Sequence, residues 1–195
     1  MVQTQKKNLK GTKTEHNLMA SFAGESQARN RYSYYASVAK KEGYEQIAAF
    51  FIETADNEKE HAKRFFKFLG GNTVEINATY PSAFGSTMEN LKNSAMGEKE
   101  EWVELYPKFA QTAEEEGFLE IAVVYKKIAD AEKSHEKRFL KLLANIENDT
   151  VFKKATSVEW KCRNCGYMHE GSEALNLCPA CAHPQKYFEV LAENY

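Results

Sequence analysis

The sequence predicts an all-α four-helix bundle with one long crossover, followed by a small C-terminal β-rich domain that holds a metal. Three observations carry that reading. The first 148 residues contain no cysteine and place apolar residues at helical spacing. They also contain an internal repeat. All four cysteines fall within the last 34 residues, as two Cys-x-x-Cys pairs. In a reducing compartment that pattern reads as metal ligation before disulfides.

Composition narrows the function. The chain has 195 residues, 43% hydrophobic and 28% charged, with a net charge of -2. A generally basic nucleic-acid binder is excluded, because it needs a cationic face to displace counterions. The longest apolar stretch, 118–125, is broken by Glu120 and falls far short of the ~20 residues a bilayer requires. The N-terminal Met1-Val-Gln-Thr-Gln-Lys-Lys-Asn shows no apolar h-region. A cytoplasmic location is therefore the expectation.

The elements follow in order. Residues 1–148 form the expected bundle and 149–195 the metal domain, joined by the polar stretch 145–156. Segment 39–69 lies over 113–143 at an offset of 74 with 15 of 31 positions identical, among them Glu42/Glu116, Gly43/Gly117, Glu58/Glu132 and His61/His135. Upstream, Ala23-Gly-Glu25 matches Met96-Gly-Glu98 at an offset of 73, so one residue has been gained or lost between. The repeat as a whole spans 22–69 and 95–143, two copies of a helix pair. The expected helices are 14–42, 44–69, 87–115 and 118–146, with Gly43 and Gly117 as C-terminal caps. Segment 70–85 carries Gly and Pro breakers and is too long for a tight turn, which suits a crossover. Val158-Glu-Trp-Lys and Lys186-Tyr-Phe-Glu-Val read as extended segments of the tail.

Each helix has an apolar line at three- and four-residue steps, the face expected to point inward. It reads Leu18, Phe22, Glu25, Arg29, Tyr32, Ala36 on the first and Ile47, Phe51, Thr54, Glu58, His61, Phe65, Phe68 on the second. The third gives Leu91, Ala95, Glu98, Glu101 or Trp102, Leu105, Phe109, and the fourth Ile121, Tyr125, Ile128, Glu132, His135, Phe139, Leu142. A glutamate interrupts every line near its middle, and two lines add histidine three residues later. Mid-helix positions of antiparallel helices share one level, so these side chains should converge. A lone Glu in such a stripe ordinarily keeps its head in water, and Glu-x-x-His alone is weak. The weight lies in the same interruption at one level of all four lines. Five inward carboxylates without counter-charge would cost several kcal/mol each or hold their protons. Arg29 compensates one at most; two divalent cations and two neutral imidazoles complete the shells.

Mixed carboxylate and imidazole ligation suits iron or manganese. One Glu from each of two helices, with Glu-x-x-His from each of the other two, is the ligand set of ferritin-like di-iron and di-manganese bundles. On that pattern Glu58 and Glu132 bridge both metals, Glu25 and Glu98 are terminal, and His61 and His135 serve one metal each. Glu101, one turn after Glu98 where the first half has Ala28, breaks the symmetry. It is either a seventh ligand that exchanges with His61 as the metal's charge changes, or a surface carboxylate.

The tail offers Cys162-Arg-Asn-Cys165 and Cys178-Pro-Ala-Cys181 as two metal knuckles. Four thiolates in a tetrahedron select zinc or iron without saying which. Zinc makes a structural ribbon; iron makes a one-electron carrier, which beside an oxidisable di-iron site has an obvious use.

Together the motifs Phe22-Ala-Gly-Glu25-Ser-Gln-Ala-Arg-Asn-Arg-Tyr32, Glu58-Lys-Glu-His61-Ala-Lys-Arg, His135-Glu-Lys-Arg-Phe, Cys162-Arg-Asn-Cys165-Gly-Tyr and Cys178-Pro-Ala-Cys181 resemble the rubrerythrin family over nearly the whole chain. The resemblance implies a di-iron bundle followed by a rubredoxin-like domain with one iron on four cysteines. It implies reduction of hydrogen peroxide to water, with electrons from NAD(P)H through a separate reductase or rubredoxin. It further implies a head-to-tail homodimer or higher oligomer, an exchange between Glu101 and His61, and hydrogen bonds from Tyr32 and Tyr106 to the ligands. The short loop between knuckles, and Ala182 where glycine usually follows the second pair, depart from free-standing rubredoxin. The rival is a ferritin-like ferroxidase carrying a structural zinc ribbon.

Overall fold

The computed structural model describes residues 8–71 and 73–194. Residues 1–7, on which the absence of an h-region was read, and Asn72 of the crossover lie outside the described residues. Helix α1, Lys13–Lys41, starts at Thr12, whose side chain accepts the N–H of Glu15. It stops at Gly43, where φ reaches +90°. There Gly43 N–H donates to Lys40 O at 3.2 Å and Tyr44 N–H to Ala39 O at 2.8 Å, a Schellman turn that sends the chain back as α2, Glu45–Phe68. The repeat does the same again: Gly117 (φ +78°) ends the third helix, with Phe118 N–H on Ala113 O at 2.7 Å.

Among the described residues the segment between the pairs has no regular element, and it lies along α1. Tyr80 OH donates to Ala20 O at 3.0 Å and Tyr35 OH to Ala83 O at 2.6 Å. A capping box of Ser86 and Glu89 then opens α3, Thr87–Glu100. The third helix is not the continuous rod expected over 87–115. A π turn, Glu101–Leu105, separates α3 from α4, Tyr106–Glu115. A π turn holds one residue more than the α-helix it interrupts. It therefore absorbs the extra residue that shifts the repeat offset from 73 to 74 between Glu98 and Ala113. After it the buried residues are Tyr106, Ala110 and Ala113, one position beyond the expected Leu105 and Phe109, which are half-buried. Helix α5 runs Leu119–Glu147.

Two apolar clusters fill the bundle. One gathers Tyr32, Tyr35, Phe51, Leu91 and Phe139; the other Leu18, Phe65, Tyr106, Ile121 and Tyr125. On every helix the central glutamate falls between them.

The tail is a three-stranded antiparallel sheet in the order β2-β1-β3, with β1 Lys153–Cys162, β2 Met168–Glu173 and β3 Phe188–Val190. Strand β1 contains Val158-Glu-Trp-Lys, but of Lys186-Tyr-Phe-Glu-Val only Phe188–Val190 is strand, Lys186 and Tyr187 lying in a 3₁₀ turn, Gln185–Tyr187; β2 has no counterpart among the segments expected to be extended. Trp160, Cys162, Cys178 and Phe188 form the small core. The tail meets the bundle at the α1–α2 turn, where Tyr44 stacks on Phe152 at 6.4 Å and Lys186 Nζ lies 3.4 Å from Glu45.

Candidate metal centres

Glu25 on α1, Glu58 and His61 on α2, Glu98 on α3, and Glu132 and His135 on α5 converge between the apolar clusters. They form two groups that share Glu58 and Glu132, one completed by Glu25 and His61, the other by Glu98 and His135. Within each group the ligand atoms lie within 4.8 Å of one another. His61 Nδ1 is 2.9 Å from Glu58 Oε2, 2.9 Å from Glu132 Oε1 and 3.8 Å from Glu25 Oε1. His135 Nδ1 is 2.8 Å from Glu132 Oε2, 3.2 Å from Glu58 Oε1 and 3.5 Å from Glu98 Oε2. Two donors each ~2.1 Å from a metal and at right angles sit about 3 Å apart, so these separations match edges of coordination shells.

The unsatisfied atoms point the same way. Glu25 Oε2, Glu58 Oε1, Glu98 Oε2, both oxygens of Glu132 and His135 Nδ1 are buried without a hydrogen-bond partner. Such a crowd of acceptors is costly unless cations sit among them. Without cations the site must hold protons. Burial, then the charges of Glu132 and Glu58, pushes Glu25 well up; burial and Glu58 raise Glu98 to about 8. Burial opposes a charged imidazole, but the carboxylates of Glu132 and Glu58 close to each ring prevail and raise His61 to about 10 and His135 to about 12. Metal and proton compete for the same atoms.

Two tyrosines tie the halves together. Tyr32 OH donates to Glu98 and Tyr106 OH to Glu25, each reaching across to the other copy of the repeat. The π turn makes this reciprocity possible, because it returns Tyr106 to the face that Tyr32 occupies on α1.

Glu101 stands outside both groups. It is half-buried in the π turn, and burial followed by the charges of Glu98, Glu132 and Glu58 pushes its carboxyl well up. It lines a cavity of about 220 Å³ with Ser21, Gln27, Arg31, Tyr80 and Tyr106. His61 is part of the first group, and Glu101 is part of neither. The expectation for Arg29 is corrected: that side chain is exposed and its Nη1 reaches Asn30 Oδ1 at 3.4 Å. The buried arginine is Arg31, which the sequence reading missed.

In the tail, Cys162, Cys165, Cys178 and Cys181 come together as free thiols. The Sγ atoms of Cys162 and Cys181 are 3.8 Å apart, those of Cys165 and Cys178 3.6 Å. A tetrahedron with ~2.3 Å metal–sulfur bonds has edges of about 3.8 Å. The knuckles repeat each other: Gly166 N–H donates to Cys162 O at 2.8 Å and Ala182 N–H to Cys178 O at 2.9 Å.

Residues 16–143 match the family model described as rubrerythrin, and 160–189 that of its rubredoxin-like domain. A rubrerythrin of Porphyromonas gingivalis is 60% identical over 190 residues, covering 97% of this chain and 95% of that protein. One from Nitratidesulfovibrio vulgaris is 54% identical, covering 97% and 100%. The chain belongs to the rubrerythrin family. A solved structure of nigerythrin in a mixed-valence state superposes on this family member with a TM-score of 0.63 at 33% identity, covering 98% of this chain and 92% of that one. A bacterioferritin of Desulfovibrio desulfuricans shares the bundle fold, with a TM-score of 0.64 at 22% identity. The carboxylate–histidine site and the four-cysteine site of this rubrerythrin-family chain both fit iron. Among the described residues no helix is long and apolar enough to cross a membrane.

Proposed function

We propose that the protein reduces hydrogen peroxide to water at the site built by Glu25, Glu58, His61, Glu98, Glu132 and His135, with Glu101 as an exchanging ligand. The carrying observation is the presence, in one chain, of a two-metal carboxylate–histidine cluster and a four-sulfur tetrahedron. Iron bound at the first supplies two electrons, which with two protons convert one peroxide into two waters. The chain's own residues set the conditions. Glu58 and Glu132, shared by both groups, would each serve both metals. Tyr32 and Tyr106 orient Glu98 and Glu25 through their hydroxyls. Glu101, whose carboxyl burial and the charges of Glu98, Glu132 and Glu58 push well up, lines the cavity beside Tyr106.

Iron held by Cys162, Cys165, Cys178 and Cys181 would supply one-electron chemistry for reducing the bundle site, with NAD(P)H as the source through a reductase or rubredoxin. The chain's own tail touches the bundle near Glu45, and the helix rises about 20 Å from there to Glu58. That span favours a head-to-tail dimer, in which a second copy brings its tail nearer to the cluster. In a Cys165→Ser variant, NADH-driven turnover should be lost, while peroxide still oxidises the pre-reduced bundle site once. Unchanged steady-state turnover would sink the relay. Metal analysis accompanies it: three irons per chain are expected, whereas two irons and one zinc would favour the ferroxidase reading.

A further inference from the structure

Arg31 is only 8% exposed, and its Nε and Nη1 have no hydrogen-bond partner. Its guanidinium lies 5.6 Å over the ring of Tyr32 and lines the same cavity as Glu101. Among the described residues no carboxylate pairs with it. Tyr35 hydrogen-bonds it, yet a buried guanidinium with two nitrogens unsatisfied and no counter-charge is costly.

The charges of the cluster name that partner. Five carboxylates around two divalent ions leave one net negative charge, which the single positive charge of Arg31 cancels. Around two trivalent ions the balance is already positive, and Arg31 adds to the excess. The odd carboxylate is Glu101, which has no counterpart in the first half of the repeat. We propose that Arg31 is the counter-charge of Glu101: off the metals, that carboxylate swings across the cavity onto Nε and Nη1. Arg31 is thereby a positioning residue that favours the divalent pair. Glu101's charge balance already feels Arg31, whose field works against the upward push of burial. The inference rests on the di-iron reading of the site.

The test is a redox titration of the full-length, metal-loaded protein with dithionite, one electron per trivalent ion, with the four-cysteine centre as internal reference. Arg31→Gln should shift the bundle site toward its oxidised form about tenfold, or 59 mV per one-electron step, and leave the reference unmoved. Arg31→Lys should titrate near the wild type. A Gln variant that titrates like the wild type, or a Lys variant that behaves like Gln, overturns the proposal. If Arg31→Gln fails to fold or load, Arg31→Gln combined with Glu101→Gln removes both charges and should restore folding and loading; its failure overturns the proposal too. Wild-type protein without peroxide turnover, but with the Gln shift intact, would remove the peroxidase reading and leave this one standing.

Discussion

At the second knuckle of the tail an alanine occupies backbone space that suits glycine. Ala182 has φ +54°, and its counterpart Gly166 has φ +79°. The left-handed region brings Cβ against the following carbonyl, a strain that glycine avoids. Ala182→Gly should therefore stabilise the tail, by roughly 0.5–1 kcal/mol after glycine's greater chain entropy is subtracted. Chelator challenge of the loaded protein reads this directly: slower metal loss is expected, and equal or faster loss would contradict the strain. The departure itself was legible, since the first pair is followed by Gly166 and the second by Ala182. Arg31 was not legible. It lines a cavity walled by Tyr80 and Pro81 of the crossover, which is pinned along α1, and by Glu101 and Tyr106 of the third helix. A helical stripe reports only the bundle-facing side, so it selected Arg29 at a four-residue step from Glu25. The convergence of the six side chains was legible for the converse reason: each lies in the centre of its stripe.

At the scale of elements, the third helix carries the asymmetry. The offset change from 73 to 74 announced one extra residue without placing it, and the π turn Glu101–Leu105 is where the chain absorbs it. An insertion in a helix has two outlets, a register shift of everything downstream or a local bulge. Here Tyr106 must still reach Glu25, and Ala110 and Ala113 must still pack, so the bulge wins. Its result is a re-aimed Glu101. Deleting Val103, 45% exposed, should let the helix close as a regular α-helix and restore the spacing found between Glu25 and Tyr32. The variant should keep its fold and still bind two divalent ions through the six remaining ligands. Peroxide turnover should fall roughly 10²-fold, the usual consequence of a misplaced reacting group. Wild-type turnover in the deletion variant would separate the π turn from function.

For the whole molecule, the bundle is built around a charged layer that two apolar clusters enclose, and this makes its stability depend on what fills the layer. Consider the protein with the bundle emptied and the tail still loaded. Glu98 is raised to about 8 from 4.5, so the stability it contributes by staying protonated is lost as pH climbs through that interval. His61 and His135 are raised to about 10 and about 12 from 6.5; their contribution is complete below 6.5 and drains away as pH rises toward the folded values. Both effects have one sign: the metal-free bundle weakens as pH rises from about 5 to 8, by about 1.4 kcal/mol per pH unit for each proton that folding retains. Bound metal reverses the slope. It needs neutral imidazoles and ionised carboxylates, so each step up in pH removes a competing proton and tightens binding, which adds to the folded state by mass action. Thermal melts between pH 5 and 8 should therefore diverge, Tm falling with pH for the emptied bundle and rising with excess anaerobic ferrous or manganous ion. Parallel curves would mean that the metals do not displace these protons, and that the buried carboxylates and imidazoles are held together by protons alone.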